Sequence, residues 1–427
     1  MRPPPIIYNL FPTLAGPLDT WAEHAQRVAG MGFNWLYVNP VHAPGFSGSL
    51  YAIKDHRRLH PALVPAGESA ELGTLRPVVA AIREAGLGVI LDLVVNHTAR
   101  DNPLVTRRPG WFRRDASGRV QSPSAIDPAD ADRVTTWGDL AEVDNAGAAD
   151  REGLWAYWEA LTLAYLDLGV TGFRCDAAYK VPAELWRRLI GRVKERTPSA
   201  IVLAETLGCR LEEVEALGEA GFDYLYNSSK WWDFREPWCL EQHELFRRIA
   251  PSVSFPESHD TERLAAETDG SEAVQRQRYA FAAAFSAGLQ TTVGYEYGFR
   301  RRLHVVETRP ADWERPAFDL CRFIGRMNAL KRRHPLLAGE GVLRPVDRPP
   351  GDAVVLERWS DASGRHRGLV LVNTSRLGAA DVTLAPEAVA GRRLWRPCRD
   401  GEPAAGVPAG AFVRLDPAEV ALVMEAA

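Results

Sequence analysis

The stretch Thr171-Gly172-Phe173-Arg174-Cys175-Asp176 has the pattern of a short strand that ends in a carboxylate. Side chains alternate across a strand, so Arg174 and Asp176 lie on one side while Phe173 and Cys175 point into packing. A neighbouring guanidinium keeps a carboxylate ionised, as a nucleophile requires. Taken alone, the pair also fits an ordinary ion pair at a strand end, and the rest of the chain decides between the two interpretations.

Short strand-like runs alternate with helix-like runs on both sides of this stretch, from residue 6 to about residue 330. The run at 87–95 is apolar on both faces, which is typical of a parallel strand covered by helices. Eight strands, each followed by a helical pattern, predict an α/β fold of the (β/α)8 TIM barrel type. A doubly wound sheet is the alternative, but no glycine-rich phosphate loop follows any strand. The predicted strands are residues 6–11, 34–41, 87–95, 171–175, 200–204, 222–226, 253–255 and 290–293.

Two segments depart from this alternation. Residues 98–150 are rich in Pro, Gly, Asp and Arg, and they predict a short loop-rich insert after the third strand. From about residue 340, short runs alternate apolar and polar residues between turns, which predicts a C-terminal antiparallel β-sandwich. The predicted domains are therefore a barrel over residues 1–340 and a sandwich over residues 341–427.

Composition argues against several classes of protein. A formal net charge of −4 at pH 7 gives no electrostatic reason to bind nucleic acid or an anionic membrane. No apolar run is long enough to span a bilayer. Residues 1–5 lead directly into the first predicted strand, so we expect no signal peptide. The five cysteines are scattered without a CxxC pair, which disfavours disulfides and a zinc site and favours a cytoplasmic location.

Four of the predicted strands end in polar residues. In a TIM barrel, catalytic residues come from the carboxyl ends of several strands. Three carboxylates and two histidines at that face are the equipment for cleaving a glycosidic bond, because one carboxylate attacks the anomeric carbon and another protonates the leaving oxygen. The polar strand ends are residues 92–97, 174–176, 204–206 and 257–260, and the three carboxylates and two histidines are Asp176, Glu205, Asp260, His97 and His259.

In this order, the four strand ends resemble the sequence regions of the α-amylase family of glycoside hydrolases. The resemblance rests on Asp92-Leu93-Val94-Val95-Asn96-His97, on residues 172–176, on Ala204-Glu205 and on Ser258-His259-Asp260. Each motif is common by itself, but four in order at predicted strand ends are a specific signal. The resemblance covers the whole barrel, and the C-terminal sandwich resembles the trailing domain of that family.

The resemblance implies a role for each of the three carboxylates. Asp176 would be the nucleophile that forms a covalent glycosyl intermediate, and Glu205 would be the general acid and then the base. Such an acid needs a raised pKa, which neighbouring carboxylates provide. Asp260 would bind hydroxyls of the sugar and strain its ring. The implied substrate-binding residues are Tyr51, Asp55, His97, Arg174, Tyr179, Lys180 and His259.

Two aromatic positions have competing interpretations. Tyr51 lies in a stretch similar to the family's second-strand loop, where a tyrosine stacks under the sugar ring. Packing in the core is the alternative. The pair Trp231-Trp232 follows the sixth predicted strand, where it fits an acceptor site and the barrel core equally well.

We predict no metal and no cofactor. In the family, an asparagine corresponding to Asn96 often binds a structural calcium. Asp139, Glu142 and Asp144 are the available partners for such a site. A side chain that fixes its own loop is the alternative, and it is the interpretation we favour.

The run after Asp176 departs from the pattern of α-amylases, which usually have a lysine-histidine pair there. In this chain the run is Ala177-Ala178-Tyr179-Lys180. The chain is more similar to maltosyltransferases that use maltose 1-phosphate. Those enzymes, however, have an asparagine directly after the nucleophile to hold the phosphate, where this chain has Ala177, and they have additional N-terminal domains.

Basic residues elsewhere offer further candidates for binding an anion. Lys54, Arg57 and the run at 300–302 fit either a phosphate site or a solvated basic face, and we favour the second. His56 and His60 have a metal-like spacing without a nearby carboxylate partner, so we expect them to be exposed in a loop.

These observations predict a retaining α-glycosidase or transglycosylase that acts on α-glucosides or maltodextrin-like oligosaccharides. Maltosyl transfer from a sugar 1-phosphate donor is the alternative within the same family. A catalytically silent carbohydrate-binding barrel is a third hypothesis, which the presence of all three carboxylates disfavours. Hydrolysis and transfer use the same residues, so the sequence leaves both open.

Overall fold

Eight parallel strands close into a barrel in the computed structural model, which describes residues 3–127, 130–346, 351–360, 364–399 and 411–425. Each strand pairs with its neighbour in the chain, and β1 pairs with β8 to close the ring. This confirms the predicted TIM barrel. The strands are β1 (Ile6–Leu10), β2 (Trp35–Val38), β3 (Gly88–Leu93), β4 (Gly172–Cys175), β5 (Ile201–Ala204), β6 (Tyr224–Tyr226), β7 (Ser252–Ser254) and β8 (Gly288–Thr292).

A main helix follows each strand and packs on the outside of the barrel. In α2, for example, Leu75, Val79 and Ile82 are buried at helical spacing. The main helices are α1 (Trp21–Gly30), α2 (Leu75–Glu84), α3 (Arg151–Asp167), α4 (Ala183–Arg196), α5 (Leu211–Glu215), α6 (Trp238–Ile249), α7 (Glu272–Phe285) and α8 (Cys321–Arg333). Short helical turns also occur at Pro12–Ala15, Pro103–Arg107, Leu264–Glu267, Pro335–Ala338 and Pro386–Val389.

The alternation of side chains along β4 is the one predicted from the sequence. Phe173 and Cys175 are fully buried in the core between the barrel and its helices. Arg174 points the other way, and its Cα lies in register with that of Asp92 on β3. The barrel interior is filled below them by side chains that include Ile7, Tyr37, Ile90, Leu203 and Val253.

The loops after β2 and β3 are more ordered than the sequence predicts. His42–Pro44 pairs with Ile53–Leu59 after β2. In the insert, His97–Ala99 pairs with Leu140–Glu142, and Ser124–Asp127 pairs with Asp130–Thr136. Several of these strands have only three or four residues, too few to show the apolar periodicity by which a strand is recognised.

The C-terminal region forms two antiparallel sheets that face each other across one core. A sheet in the order β9-β10-β11-β15-β13 packs on the pair β12-β14, and Val355, Leu371, Val382 and Val413 belong to the shared core. The predicted sandwich is therefore confirmed, while the boundary at residues 340/341 stays a prediction. The strands are β9 (Val342–Pro345), β10 (Ala353–Trp359), β11 (Arg367–Asn373), β12 (Ala380–Thr383), β13 (Arg393–Trp395), β14 (Phe412–Leu415) and β15 (Val420–Met424).

None of the helices within the described ranges has the length and apolar character needed to cross a bilayer.

Candidate active site

Arg174 is the cationic centre of a buried cluster at the carboxyl ends of β3, β4 and β5. Its Nη1 donates to both oxygens of Asp92 at 3.0 and 3.1 Å and to Oδ1 of Asp176 at 2.6 Å. Its Nη2 lies 3.9 Å from Oε2 of Glu205, beyond hydrogen-bond distance. Burial opposes the charge of Arg174, but its acidic neighbours, Asp92 first, raise its pKa well above the ordinary value. The guanidinium therefore stays charged.

Asp176 has one oxygen bound to Arg174 and the other turned towards His97. Nε2 of His97 lies 3.9 Å from Oδ2 of Asp176. This nitrogen is buried and has no hydrogen-bond partner within the part of the chain that the structure describes. Burial lowers the pKa of His97, so the ring is neutral near pH 7. A neutral ring with a free nitrogen beside Asp176 is suited to bind a sugar hydroxyl.

Glu205 occupies a different electrostatic environment. Its Oε2 accepts a hydrogen bond from the backbone N of Ala177 and its Oε1 accepts one from Leu207, both at 2.8 Å. Burial, with the nearby charge of Asp176, raises the pKa of Glu205 to about 7. Arg174 acts in the opposite direction but is too distant to cancel the effect of burial. Glu205 can therefore carry a proton at neutral pH, as a general acid must.

Ala177 connects the two carboxylates through its backbone. It adopts the left-handed conformation, with φ 42° and ψ 48°, which is uncommon for a residue other than glycine, asparagine or aspartate. This turn directs the N–H that follows Asp176 towards Glu205. Strain of this kind persists where the surrounding structure enforces it, often at functional sites.

Tyr51 and His259 form one wall of the pocket. Their rings are stacked with centroids 5.7 Å apart and an angle of 6° between the planes. The Tyr51 hydroxyl lies 2.7 Å from Oδ2 of Asp92 and 2.7 Å from Nε2 of His259. Burial raises the pKa of Tyr51 well above its usual value, so the phenol keeps its proton and donates to Asp92.

Asp260 completes this wall and is the most open of the three carboxylates. Its side chain is 55% exposed, and its Oδ2 lies 3.0 Å from Nε2 of His259. Partial desolvation would raise the pKa of Asp260, but His259, Arg174 and Arg302 outweigh it and lower the pKa to about 2. A permanently ionised, accessible carboxylate is suited to accept hydrogen bonds from sugar hydroxyls.

Three contributors to this cluster, Asp92, Tyr37 and Asn39, received no role from sequence reasoning. Asp92 appeared only as the first residue of a motif, yet it accepts hydrogen bonds from Arg174, Tyr37 and Tyr51. Asn39, at the end of β2, donates to the Tyr51 hydroxyl at 3.0 Å. The available signal was the position of these side chains at or near the ends of neighbouring strands.

Tyr179 and Lys180 lie beside the cluster and not within it. They line a cavity of about 230 Å³ together with Arg113 and Asn145 from the insert. Lys180 Nζ donates to the backbone oxygen of Ser124 at 3.0 Å and lies 5.5 Å from the Tyr179 ring centre. The turn Ala178–Lys180 directly follows the strained Ala177. Burial and the nearby charges of Glu205 and Asp176 raise the pKa of Tyr179, so this ring lies near both carboxylates, although neither of them lines the cavity.

Asp55 is not brought into contact with the carboxylates. It lies on the strand Ile53–Leu59, and its Oδ1 accepts a hydrogen bond from the backbone N of Arg57 at 2.8 Å. No hydrogen bond or ion pair joins it to Asp176, Glu205 or Asp260 in the described part of the chain. The expected exposure of His56, on the same strand, is wrong, because the ring is buried against α3.

The residues considered for calcium make other contacts. Asn96 is buried with its Nδ2 3.4 Å from Nδ1 of His97. Glu142 and Asp144 lie 3.5 and 3.7 Å from Arg113. Across the described ranges, no group of three or more His, Cys, Asp or Glu side chains is arranged to hold a metal ion.

Comparisons with known proteins point to one family. The model of the glucanotransferase domain of glycogen debranching enzyme matches residues 6–113. An α-1,4-glucan:maltose-1-phosphate maltosyltransferase of Burkholderia pseudomallei is 31% identical over 424 residues, which are 97% of this chain and 35% of that protein. The enzyme of the same name from Myxococcus xanthus is 30% identical over 361 residues, covering 76% of this chain and 51% of that protein. The chain thus spans about half or less of the length of these relatives.

The fold has a close counterpart among solved structures. The α-amylase of Geobacillus thermoleovorans, solved in complex with acarbose, superposes with a TM-score of 0.77 at 17% identity. The match covers 99% of this chain and 98% of that one. The barrel, the order of the strand-end motifs and the relatives agree with one another. The chain is similar to glucanotransferases and maltosyltransferases in sequence and to α-amylases in fold.

Proposed function

We propose that this chain is a retaining transglycosylase that extends α-glucans through a covalent glycosyl-enzyme intermediate on Asp176. The observation that carries the proposal is that Arg174 contacts one of the two carboxylates, Asp176, much more closely than the other, Glu205. The guanidinium binds Asp176 at 2.6 Å but lies 3.9 Å from Glu205. Arg174 thereby balances the charge of Asp176, while burial raises the pKa of Glu205 to about 7. Two carboxyl groups separated in this way are suited to act as nucleophile and acid.

The proposed reaction has two displacements. An oxygen of Asp176 attacks the anomeric carbon of the donor, the bond to the leaving oxygen breaks, and Glu205 gives its proton to that oxygen. A hydroxyl of the acceptor glucan then attacks the same carbon, releases Asp176 and transfers its proton to the Glu205 carboxylate. Two inversions leave the anomeric configuration unchanged.

The other predicted residues bind the sugar in this proposal. Asp260 accepts hydrogen bonds from hydroxyls of the transferred unit, and the free Nε2 of His97 forms a hydrogen bond with another hydroxyl of that unit. His259 holds Asp260 in place, and Tyr51 holds Asp92 in place. Arg174 fixes the nucleophile. We do not assign Asp55 to the pocket, because its carboxylate is engaged with the backbone of Arg57.

Maltose 1-phosphate is the proposed donor. The relatives described above carry that donor in their names. Lys180 and Arg113 place two positive charges on the cavity lined by Tyr179, a ring that lies near Glu205 and Asp176, and we place the phosphate leaving group there. Ala177 has no side-chain donor, so these two cations are the groups that would hold the phosphate. A cytoplasmic location is part of the same proposal, and the free cysteines fit a reducing compartment.

Product analysis tests this function. Purified protein is incubated with maltose 1-phosphate and maltoheptaose, and the products are followed by mass spectrometry and phosphate release. We expect glucans that grow by two glucose units, one phosphate for each step, and α-configured products by NMR. Shorter sugars alone, or longer chains without phosphate release, would overturn the proposed donor and leave a hydrolase or a disproportionating enzyme.

A variant of Lys180 tests the location of the phosphate. Lys180→Met is expected to raise KM for maltose 1-phosphate about tenfold or more, since a charge-assisted contact contributes about 1.5–3 kcal/mol. KM for 4-nitrophenyl α-maltoside, a donor without phosphate, is expected to change little. Lys54→Met, which removes an exposed cation paired with Asp101, is the matched control. An equal effect on both donors would contradict a phosphate contact.

A further inference from the structure

Trp231 is an exposed indole at the face of the barrel that carries the carboxylates. It ends the short turn Ser229–Trp231 directly after β6, and 52% of its surface is exposed. Trp232, the next residue, is 2% exposed and packs against Phe234 and Phe281. The structure therefore divides the pair between two environments, with Trp232 in the core and Trp231 in solvent.

The exposed indole is held in a fixed position. It meets Phe255 edge-on, with centroids 6.1 Å apart and planes at 90°. Phe255 is buried in the barrel interior and packs on Tyr226 in turn. Lys230 binds both oxygens of Glu267 at 3.0 and 3.1 Å and keeps its ammonium 5.9 Å from the indole. The indole is therefore a large apolar ring that is open to water and held by its neighbours, so it is available to stack on a ligand.

The position of Trp231 relative to the carboxylates indicates what it contacts. In the barrel, β6 lies between β5, which leads to Glu205, and β7, whose following loop carries Asp260. β5 in turn separates β6 from β4, so the loops that carry Trp231 and Asp176 lie on either side of the loop that carries Glu205. The acceptor must approach beside Glu205, on the side away from the nucleophile, because Glu205 takes the proton of the attacking hydroxyl.

We propose that Trp231 is a stacking platform for the acceptor glucan. The C–H face of a pyranose ring is apolar and packs on the face of an indole, while its hydroxyls stay in water. A fixed ring at this position would favour acceptors long enough to reach it over shorter ones. The proposal rests on the proposed function insofar as it takes an α-1,4-glucan as the acceptor.

Direct binding tests the platform without turnover. Asp176→Asn serves as an inactive background, and the affinity for maltoheptaose is measured by isothermal titration calorimetry. Adding Trp231→Ala is expected to raise Kd roughly three- to tenfold, the usual range for loss of an aromatic contact. Trp231→Phe, which keeps a ring, is expected to retain most of the affinity. Phe412→Ala, which removes another exposed ring, on β14, is the control and is expected to have no effect.

Kinetics in the otherwise unaltered protein provide the second readout. Trp231→Ala is expected to raise KM for maltoheptaose and to have a smaller effect on the shortest acceptor that supports transfer, with KM for the donor unchanged. An unchanged Kd in Trp231→Ala, with the circular dichroism spectrum of the parent, would overturn the platform even if transfer activity is present. If Trp231→Ala binds the glucan more weakly but the wild-type protein transfers from neither donor, the stacking platform is upheld and the proposed function is wrong. If Trp231→Ala does not fold, Trp231→Leu replaces it.

Discussion

At the scale of single residues, the decisive feature is the distance from one guanidinium to two carboxylates. Arg174 contacts Asp176 directly and stops 3.9 Å short of Glu205. Two backbone N–H groups, those of Ala177 and Leu207, hold Glu205 in place without adding a full charge. The raised pKa of Glu205 therefore comes first from burial, and Arg174 is too distant to cancel it.

Activity is expected to fall at alkaline pH as Glu205 loses its proton. Since its pKa is raised to about 7, kcat/KM for the phosphorylated donor should decrease about tenfold per pH unit above that value. The measurement is the pH profile of initial rates between pH 5 and 9. Glu205→Gln should abolish the alkaline decrease in the pH profile and reduce turnover by several orders of magnitude. A profile that stays flat to pH 9 in the wild-type protein would contradict the role of Glu205 as acid.

The sequence placed these residues through the strand-end motifs but did not reveal how they are connected. Arg174 and Asp176 follow from the alternation along one strand, which is a local property. The stacking of Tyr51 on His259, and the link of Tyr51 to Asp92, join residues far apart in the chain. Such contacts depend on loop conformations, for which a single sequence carries no periodic signal.

At the scale of elements, the hairpin after β2 positions one wall of the site through two buried histidines. His42 Nε2 lies 2.8 Å from the Tyr165 hydroxyl, and His56 Nδ1 lies 3.1 Å from the Tyr157 hydroxyl. Both tyrosines belong to α3, so the hairpin is fastened to the helix next to the barrel. Tyr51 precedes the second hairpin strand directly and depends on this attachment.

The attachment is expected to weaken in acid. Burial lowers the pKa of His56 to about 4, so the folded protein keeps this ring neutral while the unfolded chain takes up a proton below its ordinary value. The unfolded state then binds more protons, and stability falls as pH decreases from about 6.5 towards 4. At pH 5 the loss is of the order of 2 kcal/mol.

Thermal unfolding at pH 7 and pH 5 measures this loss. His56→Gln, which cannot titrate, is expected to show a smaller decrease in Tm between the two pH values than the wild-type protein. His304→Gln, at an exposed loop position, is the control and should leave the decrease unchanged. The same decrease in His56→Gln as in the wild type would rule out this histidine as the source.

At the scale of the whole molecule, a buried arginine links the barrel to the C-terminal sheets. Arg358 on β10 is fully buried and donates to the backbone oxygens of Leu336, Phe285 and Gly339 at 2.8, 2.8 and 2.5 Å. Phe285 ends α7, so the contact reaches the helix layer of the barrel. The sandwich is therefore packed against the barrel through satisfied polar groups as well as apolar ones.

Loss of this link is expected to destabilise the protein strongly. Arg358→Met leaves three buried carbonyl oxygens without a partner, and each costs about 1–3 kcal/mol. We expect Tm to fall by several degrees, measured by scanning calorimetry. Arg344→Met, which removes an exposed arginine on the neighbouring β9, is the matched control. Equal Tm values for the two variants would show that the link contributes little.

The architecture was predictable from the sequence because the spacing of apolar residues differs between strands and helices. Every barrel strand lay within two or three residues of its predicted position, since buried parallel strands are short continuous apolar runs. β9 and β15 were missed for a related reason. β15 is buried on both faces and shows no alternation, and β9 has only four residues, of which the first two are buried and the last two exposed. The proposed covalent chemistry rests on the motifs, while the cavity beside Tyr179 and the exposure of Trp231 required three-dimensional structure.

The most direct test of the account is to trap the glycosyl-enzyme intermediate. Glu205→Gln is incubated with α-maltosyl fluoride, a donor whose leaving group needs no acid, and the protein is digested and analysed by mass spectrometry. We predict an adduct with the mass of one maltosyl group on the peptide that contains Asp176, and its absence when Asp176→Asn is added. An adduct on another residue, or release of a β-configured product with no adduct, would contradict the assignment of Asp176 as the nucleophile.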